Sequence, residues 1–233
     1  MGITGEQLLE LFATYNQQIW PMQIVAYVLG FAGLVLAIWG RSLANRAVTV
    51  VLAFFWFWVA LLFWLPGARQ GFAPSYIFAA VFLVQGVLFL HQTLRPRMTF
   101  GFQRIPASWA GVFFALYALV GYPAVGWLVN HIYPQAPPFG LTPCPLVAYT
   151  FGLLLLTRTR VPKILLILPL FYAVSGVYWA MLGMVEDIGM ALSGVLGMWL
   201  IWVRDAKASP TPRAELAAAQ VEGGWSLDLS DKK

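Results

Sequence analysis

Charge is scarce in this chain: Asp, Glu, Lys and Arg make up 10% of its 233 residues, against about a quarter in ordinary soluble domains. With 61% hydrophobic residues and a mean hydropathy of +0.76, that scarcity excludes a water-soluble globular domain and points to an integral membrane protein. Cysteine is nearly absent as well. The single Cys144 excludes an internal disulfide and any multi-cysteine zinc or iron–sulfur cluster within one chain. The two histidines, His91 and His131, fall on opposite sides of the membrane in the topology derived below, which excludes a b-type haem clamped between them. The first twenty residues contain no Lys or Arg, so they lack the positive n-region of a secretory signal. The last apolar segment has no Lys, which removes the attachment point for a retinal Schiff base. A net charge of +5 does not make a nucleic-acid surface here, because the basic residues stand singly or in small groups at the ends of apolar runs.

What is present is a series of seven apolar segments, each free of Asp, Glu, Lys, Arg and His: Pro21 to Gly40, Ala47 to Leu65, Pro74 to Leu90, Ser108 to Val129, Pro143 to Thr157, Ile164 to Gly183 and Ile188 to Val203. A helix needs roughly 20 residues, with about 17 as a lower limit, to cross about 30 Å of hydrocarbon. The seventh falls slightly short, and the fifth, about 22 Å long as a helix, can span only if the Pro-rich stretch before it dips into the bilayer. The basic residues test the count independently. With the N-terminus outside, Arg41, Arg46, Arg95, Arg97, Arg104, Arg158, Arg160, Lys163, Arg204, Lys207, Arg213, Lys232 and Lys233 are all inside, and Arg69 alone is outside.

The expected fold is therefore all-α: a seven-helix transmembrane bundle over residues 21–204, N-terminus outside and C-terminus inside, multi-pass in the cell (inner) membrane. An interfacial amphipathic segment over residues 1–20 precedes it. Thr4 and Gln7 fit a capping box there, and Leu8, Leu11 or Phe12, Tyr15 and Ile19 recur on one helical face opposite Glu6, Glu10 and Gln17. Trp20-Pro21 marks the entry to the first span. Residues 205–233 are expected to be a disordered cytoplasmic tail. Pro123 and Pro169 are expected to kink the fourth and sixth helices.

The stretch from Asn130 to Gly152 holds five prolines, the cysteine and His131, so regular helix must break there. Irregular backbone at membrane depth is tolerated only inside protein or beside a cavity. On the same outer side lie Tyr15, Asn16, Trp20, Tyr133 and the acidic pair Glu186 and Asp187, which with His131 and Cys144 make up the candidate ligand site. His131 and Cys144, with the acidic pair nearby, are candidate ligands for a soft or borderline metal ion, against the plainer reading of a helix-capping histidine, a small buried hydrophobe and a wet turn. Cys144 starts a helix, where amide N–H groups favour a thiolate or a nearby anion; catalysis by that thiol would need His131 as its base. Glu186 and Asp187 read either as a proton or cation relay or as the charged start of the seventh helix. His91 reads as a solvated interfacial residue, and Trp56, Trp58 and Trp64 as lipid-facing or belt residues rather than a ligand cage. Gly189, Ser193 and Gly197 recur every four residues, a face for packing within the bundle or for a homo-oligomer.

Three segments together carry a resemblance: Glu6 to Trp20-Pro21; Tyr122-Pro123 through His131, Tyr133-Pro134, Pro138, Phe139-Gly140 and Pro143-Cys144-Pro145; and Glu186-Asp187 with Gly189. Over about Glu6 to Val203 the chain resembles an uncharacterised bacterial multi-pass membrane family, domain of unknown function 6064. The resemblance implies no activity, but it implies that these outer-side segments form one unit. The function expected from the residues is a small transporter or permease-like protein with an outward-facing polar pocket for a small solute or ion. Two alternatives stay open: a non-catalytic sensor or accessory subunit binding a partner through its outer cap, or a metal- or thiol-dependent protein using Cys144 and His131. No catalytic residue and no cofactor can be named from the sequence.

Overall fold

The computed structural model describes residues 4–69 and 73–207. Eight helices account for most of these residues: α1 (Gly5–Gln18), α2 (Met22–Trp39), α3 (Ser42–Arg69), α4 (Ser75–Leu94), α5 (Pro106–Leu128), α6 (Pro143–Leu155), α7 (Ile164–Met181) and α8 (Asp187–Lys207). Six of them, α2, α3, α4, α5, α7 and α8, are long and apolar enough to cross a membrane. Their outer faces stay apolar: Val28, Phe31 and Val35 of α2 and Trp199 and Trp202 of α8 are exposed. Water would oppose such surface over whole helices, whereas lipid would accept it. The expected tail lies outside the described residues from residue 208 on, and residues 205–207 continue α8.

Helix α6 is the post around which the rest is arranged. Every residue from Pro137 to Thr157 is buried. Trp56 Nε1 of α3 donates to Thr150 Oγ1 at 3.0 Å, and Tyr149 Oη donates to the Gly30 carbonyl of α2 at 2.6 Å. Gly111 of α5 lets its backbone approach Gly152, and Phe151 packs against Gly197 of α8. Thirteen residues give about 20 Å of helix, so the shortfall expected for this segment is real, and the buried Pro-rich approach covers one of its ends. Arg204 covers the other: its Nη1 lies 3.2 Å from the Leu155 carbonyl and 3.0 Å from that of Thr157, a cation at a helix C-terminus.

The links α2–α3, α4–α5 and α6–α7 meet at this basic end. Phe100 N donates to Asn45 Oδ1 at 2.8 Å, and Arg158 packs against Gly101 and Gly40. The opposite end, called the cap here, is built from α1, the link over residues 129–142 and the α7–α8 turn.

Two helices carry a π-helical turn, Val59–Trp64 in α3 and Tyr117–Gly121 in α5. Each ends two residues before a proline, Pro66 or Pro123. Leu65 N–H bonds to the Ala60 carbonyl and Tyr122 N–H to that of Tyr117, the wider i to i−5 spacing. A proline removes the next i to i−4 donor and its ring crowds that carbonyl, and the wider turn relieves both. The break expected at Pro123 thus takes the form of a π turn just before it. In α7 the chain stays helical through Pro169 and is interrupted at Ser175, whose hydroxyl bonds back to the Tyr172 carbonyl at 2.7 Å.

The small-residue face of α8 is filled from within: Gly189 receives the ring of Tyr117, Gly197 that of Phe151, and Ser193 is fully buried.

Candidate functional site at the cap

Helix α1 starts with the expected capping box: Gln7 N donates to Thr4 Oγ1 at 3.3 Å, and Thr4 N to Gln7 Oε1 at 3.0 Å. Its amphipathic face turns onto protein rather than onto a lipid interface, with Leu8, Phe12, Tyr15 and Asn16 buried. Phe12 stacks on Phe63 at 5.8 Å between ring centroids, and Tyr15 meets the same ring edge-on at 5.2 Å. Tyr15 Oη donates to the Leu141 carbonyl and accepts from Trp58 Nε1, each at 2.8 Å. Burial pushes the Tyr15 hydroxyl pKa well above its ordinary value, so it stays a donor. Asn16 Nδ2 donates to the carbonyls of Pro134 at 2.6 Å and Ala136 at 2.8 Å. Helix α1 and the Pro-rich link are therefore pinned to each other by side chains that satisfy backbone carbonyls a proline-rich segment cannot satisfy itself.

The link gets its shape from two residues in the left-handed region. Asn130 (φ 65) ends α5, and Gly140 (φ 72) turns the chain toward α6. At Gly140 a Cβ would meet the Phe55 ring at 2.8 Å, so glycine is required twice over.

The two acids divide between two partners. Glu186, with no exposed side-chain surface, pairs its Oε1 with His131 Nδ1 at 3.0 Å. Its backbone carbonyl accepts from Tyr117 Oη at 2.6 Å, and its Oε2 has no hydrogen-bond partner. Asp187, the first residue of α8, accepts from Tyr122 Oη at 2.6 Å and lies near the Cys144 thiol. Cys144 Sγ lies 3.8 Å from Tyr172 Oη. Tyr122 thus bonds the buried Asp187 carboxyl directly, and Cys144 and Tyr172 continue the polar chain beside it.

Asp187, Cys144 and Tyr172 line a chamber of about 60 Å³ that Leu8, Leu11 and Phe12 of α1 border. Phe63, Trp64 and Gly67 of α3, Ser75 of α4 and Trp179 of α7 form other parts of its wall. Two polar groups in that wall are buried without a partner, Ser75 Oγ and Trp64 Nε1. Leu11, Phe63 and Gly67 also line an open groove of about 740 Å³ beside α1, with Glu10, Gln18 and Trp58 on it, so these three residues form the partition between groove and chamber.

Of the eight residues expected at the site, Tyr15, Asn16, His131, Cys144, Glu186 and Asp187 are drawn into the cap network. Trp20 and Tyr133, each 59% exposed, are not; their aromatic bodies sit on the surface. The proposed pairing of Cys144 with His131 does not form, since His131 is engaged by Glu186 and Cys144 by Asp187 and Tyr172. Among the described residues no set of three or more His, Cys, Asp and Glu is grouped as a metal would require, which removes the support for His131 and Cys144 as metal ligands. Sequence reasoning missed Tyr117, Tyr172 and Ser75, and read Trp64 as a lipid-belt residue. The prolines after the two π turns were the available signal, since such turns are frequent at functional sites.

Residues 5–211 match the model of a family described as a family of unknown function (DUF6064), a range that contains all eight helices and so joins the three cap segments in one unit. No curated protein and no solved structure matches the chain.

Proposed function

We infer the function of this chain, which belongs to the DUF6064 family of unknown function, from the chamber in its cap. It is a multi-pass membrane protein with seven spans, N-terminus outside and C-terminus inside, that takes a small solute from the outer side into the chamber beneath α1. This is the binding step of a permease-like transporter in the cell membrane. Supporting the topology are the positive-inside distribution and the meeting of three links and the α8 end at the basic end; α6 is then the seventh span, completed by the buried residues 137–142 that lead into it. The observation that carries the binding reading is that Ser75 Oγ and Trp64 Nε1 are buried without partners in the wall of a chamber. Such groups carry a cost of about 1–3 kcal/mol each unless something bonds to them.

The native cysteine tests access directly. Methyl methanethiosulfonate is small and uncharged: the Cys144 sulfur forms a bond to its CH₃S group, the S–SO₂ bond breaks, methanesulfinate leaves and the thiol proton goes to solvent. Intact-mass kinetics on the full chain in nanodiscs are expected to run faster in Leu11→Ala, which opens the partition, and slower in Leu11→Trp, which fills it. A rate indifferent to residue 11 refutes the chamber. Uptake by proteoliposomes then separates transport from ligand-triggered signalling.

A further inference from the structure

We propose that the chamber is a site for ammonium or a small primary alkylammonium ion, an assignment that rests on the chamber reading above. Its starting point is a buried carboxyl group with no cationic partner. Asp187 is 1% exposed, its partners are the Tyr122 hydroxyl and the Cys144 thiol, and no Lys, Arg or His among the described residues pairs with it. A buried carboxylate is stable when it is paired or when it takes up a proton. Glu186 has His131; Asp187 lines the chamber instead.

The other walls suit a cation that carries N–H groups. Ser75, 1% exposed, offers an oxygen with no partner, and an ammonium donates to it and to Asp187 together. Phe12, Phe63, Trp64, Tyr172 and Trp179 surround the space, and aromatic rings attract ammonium ions. A metal ion would want more oxygen, nitrogen or sulfur ligands than this wall presents, and an anion would meet the Asp187 carboxylate. The volume of about 60 Å³ is several times the roughly 10–15 Å³ one water requires. It admits an ammonium with one water, or a methylammonium; a tetramethylammonium, having no N–H group, donates to neither oxygen. Trp64 Nε1, a donor only, is then met by that water.

Approach is favoured by the field at this end. Glu6, Glu10, Glu186 and Asp187 lie at the cap, Glu10 on the groove that borders the chamber, whereas Arg69 is the one Lys or Arg there among the described residues. Such an asymmetry raises the local concentration of cations.

The test uses the full chain in nanodiscs of zwitterionic lipid with methylammonium chloride as the probe. At about ten times its Kd, methylammonium should slow Cys144 modification by methyl methanethiosulfonate about tenfold, since only the empty chamber reacts, and it should raise the thermal midpoint with concentration. Equal concentrations of methanol, sodium chloride and tetramethylammonium chloride should leave both unchanged. Asp187→Asn should abolish protection, and Ser75→Ala, which removes only an unpartnered hydroxyl, should weaken it. The proposal is overturned if methanol or sodium protects as well as methylammonium, which would mean that Asp187 is held by a proton alone. That comparison on the unmodified chain decides the matter even if Asp187→Asn fails to fold. A labelling rate that responds to residue 11 but not to methylammonium removes the ion assignment alone; one that ignores residue 11 removes the chamber as well.

Discussion

Replacing Tyr15 by Phe should loosen the roof of the chamber without disturbing its packing. The ring keeps its edge-on contact with Phe63, and only the hydroxyl goes. That hydroxyl holds the Leu141 carbonyl and the Trp58 indole N–H. Leu141 is fully buried, so its carbonyl loses its side-chain donor where water cannot easily replace it, at about 1–3 kcal/mol. Trp58 is half-buried and recovers part of its bond from water. Together the loss comes to about 2–3 kcal/mol, which at 1.4 kcal/mol per tenfold is about a 30- to 150-fold rise in the population with α1 undocked. Hydrogen-exchange mass spectrometry should record that rise in the amides of α1, with those of α6 unchanged, and Cys144 should label faster. The sign of the pH dependence follows from the burial of the same hydroxyl. Its pKa is raised on folding, so its contribution is complete below the unfolded value of about 10 and is lost as pH rises beyond it toward the folded value. Undocking should therefore set in above about pH 10 in the native chain, and the Tyr15→Phe chain should lack this tyrosine-dependent component. Unchanged α1 exchange in Tyr15→Phe would refute the docking argument.

Other substitutions probe the rest of the cap and the basic end. His131→Ala leaves a fully buried Glu186 carboxylate without its partner and should cost about 2–4 kcal/mol in a denaturant titration. In a double-mutant cycle with Glu186→Gln the coupling should be about 1–2 kcal/mol, and strict additivity would mean the pair contributes nothing. Gly140→Ala forces a Cβ onto the Phe55 ring at a positive φ and should lose about 2–4 kcal/mol by the same titration; a loss under about 0.5 kcal/mol would contradict the turn geometry. Arg204→Ala removes the guanidinium over the α6 carbonyls and should cost about 1.5–3 kcal/mol, appearing as faster amide exchange in the last turn of α6.

The helices were legible because a long apolar run bounded by charge has few other structures open to it, and the ends of α2 and α5 fall within two residues of the expected segments. The buried end of the Pro-rich link, residues 137–142, was legible too, since a helix as short as α6 needs cover at its end. The docking of α1 was not. Leu8, Phe12 and Tyr15 form one apolar stripe whether the stripe meets lipid or protein, and periodicity alone does not tell the two apart. The cap acids were read together although their side chains serve different partners. Glu186 lies in the turn before α8 and Asp187 opens the helix, so Glu186 reaches His131 while its neighbour Asp187 reaches Tyr122 and Cys144. Tyr117 and Tyr172 stayed hidden because a tyrosine within a span has the composition of a belt residue until the packing shows what its hydroxyl meets.

If a solute occupies the space between α1 and Asp187, a density map of the full chain in methylammonium chloride, at a resolution that resolves waters, should show it. A non-protein peak is expected within hydrogen-bonding distance of both Asp187 and Ser75, absent from a map in sodium chloride. A chamber closed by Leu11 and Phe12 in both maps, with no peak beside Asp187, would contradict that expectation.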